Sequence, residues 1–142
     1  MKIKEIKYKS PEYEQSLVLR DKILRKPLGM SLTKEFCLQD NEDFILGMFE
    51  KNRIRAVLHL KPLSGSVFKM RQVAVDNTLQ GKGLGSRLVL FSEEFARKKG
   101  CKKIVLHARE TSVSFYKNLN YKIDDKRFFE IGIPHFKAEK EL

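Results

Sequence analysis

The stretch Val73-Ala74-Val75-Asp76-Asn77-Thr78-Leu79-Gln80-Gly81-Lys82-Gly83-Leu84-Gly85-Ser86-Arg87-Leu88 passes from an apolar run through a glycine-rich turn into an amphipathic segment. It reads as a strand, a loop and a helix. Gly81, Gly83 and Gly85 alternate with Lys82 and Leu84, which frees the backbone to take positive φ and to meet a ligand with no Cβ in the way. Behind them Leu84, Leu88, Phe91 and Phe95 recur at the spacing of one buried helix face, so the helix begins inside the glycine turn. The first amides of such a helix are unpaired and sit at the positive end of its dipole. They favour a phosphate or pyrophosphate.

The chain has 142 residues, 42% of them hydrophobic, which suits one domain whose core needs no metal or disulfide. No run approaches the roughly 20 apolar residues of a membrane span, and Met1-Lys2-Ile3-Lys4-Glu5 lacks the apolar block of a signal peptide. A cytoplasmic location without membrane contact is expected. Cys37 and Cys101 are too few and too far apart for a metal knuckle, and two reduced structural thiols are expected, with no metal. The net charge of +11 raises nucleic acid, an acidic partner or a polyanionic cofactor. The lysines are scattered and mixed with acids, as in Glu93-Glu94 before Arg97-Lys98-Lys99. That scatter describes a solvated surface better than a nucleic-acid footprint.

Lys2 to Tyr8 reads as an edge strand, and Ser10-Pro11-Glu12 starts a helix expected to reach about Arg25. Met30 to Asp43 is weakly patterned, with a short helix near Thr33 to Cys37, and suits a substrate-covering loop. Phe44 to Phe49 and Ile54 to Leu60 form a hairpin about Lys51-Asn52-Arg53, and Val67 to Val75 is the strand feeding the glycine loop. The helix ends at Gly100, and Lys103 to Ala108 is a strand joined by a right-handed parallel crossover. A short helix over Ser112 to Asn118 and strands at Tyr121 to Ile123, Phe128 to Ile133 and His135 to Leu142 complete the chain. No internal repeat interrupts residues 1–142, read as one domain.

A glycine-rich turn alone has several readings. The triphosphate loop G-x-x-x-x-G-K-[ST] is unmatched, since no Lys and Ser or Thr follow the last glycine. The dinucleotide fingerprint G-x-G-x-x-G fails at Ser86, and here antiparallel strands come first. A plain strand-to-helix connection would not need three alternating glycines.

The segment Gln80-Gly81-Lys82-Gly83-Leu84-Gly85 resembles the Q/R-x-x-G-x-G/A signature of the GNAT superfamily of N-acetyltransferases, preceded by the strand end Val73-Ala74-Val75. Ser114-Phe115-Tyr116-Lys117-Asn118-Leu119-Asn120-Tyr121 resembles that family's F-Y-x-x-x-G-F/Y segment at the usual interval. Gly132-Ile133-Pro134-His135 is similar to a motif of small bacterial members, including the ElaA-like and YjcF-like proteins. The resemblance covers nearly the whole chain and is strongest from Met70 to Tyr121.

The resemblance implies an α+β fold layered α/β/α, with a mixed, mostly antiparallel sheet of about six or seven strands and helices on both faces. It implies transfer of an acetyl group from acetyl-coenzyme A to a primary amine by direct attack. Val73, Ala74 and Val75 would present backbone groups to the pantetheine and acetyl carbonyl, and amides from Gln80, Gly81, Lys82, Gly83, Leu84, Gly85 and Ser86 would cradle the pyrophosphate. Tyr116 would be the acid for the departing thiolate, a role a phenol fills at neutral pH. His135 would sit near the acceptor site or serve structurally. Arg109 stands where many members have asparagine, and could meet a phosphate; Asn120 stands where glycine is usual, and asparagine tolerates a left-handed turn.

The proton-accepting group stays open among His59, His107, His135, Glu35, Glu42 and Asp43, with His107 the more natural core residue. The acceptor, a small-molecule amine or a protein lysine, is undetermined, and a homodimer is compatible with the resemblance. A basic nucleic-acid-binding module and a non-catalytic acyl-coenzyme A sensor are the alternatives.

Overall fold

The computed structural model describes residues 1–142. Eight strands form one sheet: β1 (Lys2–Ile6), β2 (Phe44–Glu50), β3 (Arg53–Pro62), β4 (Val67–Val75), β5 (Lys103–Arg109), β6 (Lys122–Ile123), β7 (Phe128–Glu130) and β8 (Ile133–Glu141). Their order is β1-β2-β3-β4-β5-β8-β6, with β7 also paired to β8. Only β4 and β5 run parallel; every other pair is antiparallel. The mixed, mostly antiparallel α+β architecture is as expected. The eight strands exceed the six or seven the resemblance implies and match the strand runs read along the chain, except that the run from Phe128 stops at Glu130, where Ile131 and Gly132 turn at φ 54° and 70° into β8.

Helix α1 (Pro11–Arg20) begins where Ser10 Oγ accepts from the Tyr13 amide at 3.2 Å, with proline in the first turn where its missing N–H costs nothing. It is shorter than expected: α-helical bonding ends at Arg20, and a π-type turn (Asp21–Arg25) and a 3-10 turn (Lys26–Leu28) carry the chain to Gly29 at φ 69°. Helix α2 (Lys34–Cys37) is capped by Thr33. Helix α3 (Leu84–Lys98) and helix α4 (Val113–Asn118) lie on the opposite face of the sheet from α1.

Two apolar layers follow from this arrangement. The larger holds Leu46, Met48, Leu58, Leu60, Phe68, Met70, Leu88, Ile104, Leu106 and Tyr116 under α3 and α4; the smaller holds Tyr13, Leu19, Ile45, Val57 and Ala74 under α1. The buried stripe of α3 differs from the expected one. Leu84 and Leu88 are buried together with Val89, Ser92, Glu93 and Ala96, whereas Phe91 is 39% exposed and Phe95 only flanks the core. The polar Ser92 and Glu93 can face inward because Ser92 Oγ donates to the Val89 carbonyl and Glu93 receives Tyr121 Oη and Lys140 Nζ. Their satisfied hydrogen bonds offset the loss of water.

No helix is long and apolar enough to cross a membrane. Cys37 and Cys101 are unpaired, Cys101 being buried.

Candidate active site

The site opens where β4 and β5 part. Their pairing runs from Val67–Lys103 to Met70–Leu106 and stops, although β4 continues to Val75 and β5 to Arg109. Beyond Met70 the edge of β4 that faces β5 therefore has no strand partner. The cause is a bulge: Val57 pairs with Ala74 and His59 with Arg71, so Leu58 lies opposite both Gln72 and Val73, and Gln72 takes φ 55°. A bulge bends and re-aims its strand. The re-aiming shows in the packing: Met70 belongs to the larger core, Ala74 to the smaller, and Val73 and Val75 flank the larger.

Beyond Val75 the chain turns through the glycines. Gly81 has φ 82° and Gly83, the residue that caps α3, has φ 78°, and no atom lies within 4 Å of where either Cβ would stand. Gly85 lies against Phe115 and Val75, which a Cβ there would meet at 3.4 and 3.5 Å, ordinary contact distances. The amides of Gln80, Gly81, Lys82 and Gly83 donate to no backbone acceptor, and Arg87 N to Gly83 O at 3.1 Å closes the first turn of α3. Open first-turn amides at the positive end of a helix dipole favour an anion. Gln80 Nε2 donates to the Val75 carbonyl at 3.1 Å, which folds the loop back onto the strand end.

Helix α4 is held beside this turn by Phe115. Next to it Tyr116 is 6% exposed, its ring edge-on to Phe115 at 5.0 Å and to Tyr121 at 5.5 Å. Burial alone pushes its hydroxyl above the ordinary phenol range, so it keeps its proton at neutral pH. Asn120 has φ 71°, the left-handed conformation its place in the motif requires.

On the α1 face beneath the bulge lies a polar network that sequence reasoning missed except for His59 and Asp43. Arg20, wholly buried, donates from Nη1 to Asp40 Oδ2 at 2.7 Å and from Nε to Gln72 Oε1 at 3.1 Å. Tyr13 Oη donates to the same Asp40 oxygen at 2.7 Å, and Arg71 Nη1 reaches Asp40 Oδ1 at 3.3 Å and also Asp43 Oδ2. His59 Nδ1 lies 2.9 Å from Asp43 Oδ2, and since a carboxylate only accepts, the proton is on Nδ1 and Nε2 carries the lone pair. Burial drives Asp40 up, but hydrogen bonds from Arg20 and Tyr13 outweigh it and hold the carboxyl below its usual range. Burial also lowers His59, leaving it neutral. Asp40, Asp43 and His59 have ligand atoms within 4.8 Å of one another, a metal-like spacing, but both carboxylates already accept from guanidinium groups. A signal was legible: one arginine in the Leu17-Val18-Leu19-Arg20 run and one histidine inside Ala56-Val57-Leu58-His59-Leu60.

Arg109 and His135 are partners across β5 and β8 at the end of the parting strands. Arg109 Nη2 donates to the Leu24 carbonyl at 3.3 Å. His135 is buried, stacks on Phe128 at 5.8 Å, and its Nδ1 donates to the Ile133 carbonyl at 2.8 Å, so Nε2 holds the lone pair. His107 is not a core residue: it is 30% exposed in its side chain and bonds Glu130 at 2.8 Å, because its strand face is not covered by α1. Glu35 and Glu42 are exposed and stand outside the network. A concavity of about 830 Å³ lies over Lys69, Val105, His107 and Lys137 and includes no glycine-loop residue.

The model of the Acetyltransferase (GNAT) family matches residues 10–121, and the chain belongs to that family. Over 62 residues it is 34% identical to a glucosamine 6-phosphate N-acetyltransferase of Trypanosoma brucei brucei, a match covering 44% of this chain and 42% of that protein. The chain thus aligns with less than half the length of this relative. Escherichia coli ElaA superposes with a TM-score of 0.85 at 15% identity over 99% of each chain. A GNAT family acetyltransferase of Elizabethkingia anophelis with acetyl-CoA bound superposes with a TM-score of 0.75 at 19% identity, over 99% of this chain and 97% of that one. At such identities the likeness establishes a shared fold.

Proposed function

We propose that this protein transfers an acetyl group from acetyl-coenzyme A to a primary amine by direct attack. The observation that carries the reading is the alignment of an unpartnered β4 edge with the open first turn of α3. One offers backbone groups to an extended pantetheine arm, and the other offers amides to a pyrophosphate at its end. The residues fit the group, since Gly81 and Gly83 leave clear the space their Cβ atoms would fill. Bound there, acetyl-coenzyme A supplies a thioester carbonyl as the electrophile.

The protein's own part is positioning and proton transfer. Backbone groups of Val73, Ala74 and Val75 orient the acyl end, and amides from Gln80 to Ser86, with Lys82 beside them, hold the phosphates. As the amine nitrogen bonds to the carbonyl carbon and the carbon–sulfur bond breaks, Tyr116 donates its hydroxyl proton to the sulfur. His135 takes the proton leaving the amine at Nε2, the nitrogen left free by the Ile133 bond. The acceptor is a small molecule or a protein lysine, and the reaction belongs in the cytoplasm, where the unpaired thiols Cys37 and Cys101 stay reduced.

The experiment is thiol release from acetyl-coenzyme A across an amine panel, with calorimetry of cofactor binding. Amine-dependent release supports the reading. Tight binding without release on any amine replaces it with a sensor, and salt-dependent DNA binding without stabilisation by acetyl-coenzyme A replaces it with a nucleic-acid module.

A further inference from the structure

Arg25 is the anomaly of the site. It is 8% exposed and makes no ion pair, while every other buried charge beneath the bulge has an opposite partner. Its guanidinium lies over the Phe36 ring at 4.4 Å, and Arg71 lies over the same ring at 5.6 Å. Arg109 is bonded to the carbonyl of Leu24, the residue before Arg25. Arg20 and Arg71 neutralise Asp40 and Asp43, so Arg25 and Arg109 are two cations in excess. Burial, and then the fields of Arg20, Arg109 and Arg71, lower the proton affinity of Arg25, as expected of a cation among cations. Arg20 Nη2 and Arg71 Nη2 are in addition buried donors with no partner, and Asp43 Oδ1 and His59 Nε2 are buried acceptors with none. Arg25 thus presents a cation with no anionic partner, its nitrogens still open to solvent, beside two unsatisfied buried donors, and an arriving oxyanion would pair with it directly.

The position of the cluster says which ligand brings the anion. Arg71 is the first β4 residue beyond the last β4–β5 pair, and Arg109 ends β5, so the arginines line the α1 side of the gap between the parted strands. The pyrophosphate cradle, past Val75 at the start of α3, is on the opposite face of the sheet. Resting on the function proposed above, we propose that Arg25, Arg71 and Arg109 form an oxyanion site for the acceptor, which is therefore a compact primary amine bearing a carboxylate or phosphate. Polyamines and other polycations are excluded by the same charge.

The test uses the whole protein in two arms. In the first, acetylation rates are compared for matched amines: glucosamine 6-phosphate against glucosamine, L-amino acids against their amides, and spermidine. The anionic members are expected to be favoured roughly ten- to hundredfold in kcat/KM, the worth of one charge-assisted hydrogen bond. Arg25→Gln should remove that preference through the acceptor KM, with the KM for acetyl-coenzyme A unchanged. In the second arm, protein saturated with coenzyme A, which fills the pyrophosphate cradle, is titrated with inorganic phosphate and with acetate. Thermal stabilisation is expected in the wild type and not in Arg25→Gln, and the more effective ion tells phosphate from carboxylate acceptors. Arg25→Gln should also melt no lower than wild type, whereas a merely structural arginine would lower the midpoint. A preference for neutral or cationic amines, a raised KM for acetyl-coenzyme A in the variant, or equal anion stabilisation of both proteins overturns the proposal. Absence of transfer to every amine, with anion stabilisation intact and dependent on Arg25, overturns the transferase reading alone.

Discussion

Arg20 Nε donates to Gln72 Oε1 at 3.1 Å, so a wholly buried helix arginine grips the side chain of the left-handed residue at which β4 bulges. The same guanidinium pairs with Asp40. One side chain thus ties the end of α1, the Leu38–Glu42 turn and the strand that opens the site.

Replacing Arg20 by Leu leaves Asp40 buried with one guanidinium fewer and frees the bulge. Breaking a buried pair from one side costs about 3–5 kcal/mol. Chemical denaturation should show a loss of that order, and the double replacement Arg20→Leu with Asp40→Leu should recover part of it. A loss below about 1 kcal/mol in the single variant would mean that the network does not hold the bulge.

Tyr116→Phe keeps the ring in its place between Phe115 and Tyr121 and removes only the hydroxyl. Turnover should fall about 10²- to 10⁴-fold, the range of a lost general acid, with acetyl-coenzyme A affinity by calorimetry nearly unchanged. Equal turnover measured where chemistry limits the rate would take Tyr116 out of the acid role.

Gly83→Val forces a β-branched residue to φ 78° at the first amides of α3. The conformational cost is roughly 1–2 kcal/mol, so the fold survives while the amides lose their geometry. Cofactor binding should vanish in calorimetry with circular dichroism unchanged; unaltered affinity would place the phosphates elsewhere.

His59 titrates below its ordinary 6.5 because burial disfavours the imidazolium. The folded state thus binds this proton less readily than the unfolded chain. The stabilisation is present above pH 6.5 and is lost progressively as pH falls from there toward the folded value, with a slope of at most about 1.4 kcal/mol per pH unit. His59→Gln should flatten the melting profile as pH falls below 6.5; an unchanged slope would assign the acid sensitivity to another group.

Local chemistry was readable where local residues suffice. The Lys51-Asn52 turn, the Ser10-Pro11 start and the left-handed Gly83 and Asn120 rest on neighbours a few residues away, and they stand as expected. Phe91 shows the failure of periodicity alone. Its spacing matched a buried face, but satisfied Ser92 and Glu93 could turn inward in its stead, and their partners Tyr121 and Lys140 are far along the chain.

From the sequence alone came the strand–glycine–helix unit, which short-range backbone freedom and hydrophobic spacing encode, while the Tyr116 motif and the layered fold were legible through the family resemblance. Only the tertiary structure decided that β4 parts from β5 at Met70, that Asp40, His59 and Arg71 share one buried network, and that Arg25 stands among cations without an anion. Charges separated by tens of residues interact only after the sheet and α1 exclude water between them. That exclusion is a property of the packed molecule and is written at no single position of the chain.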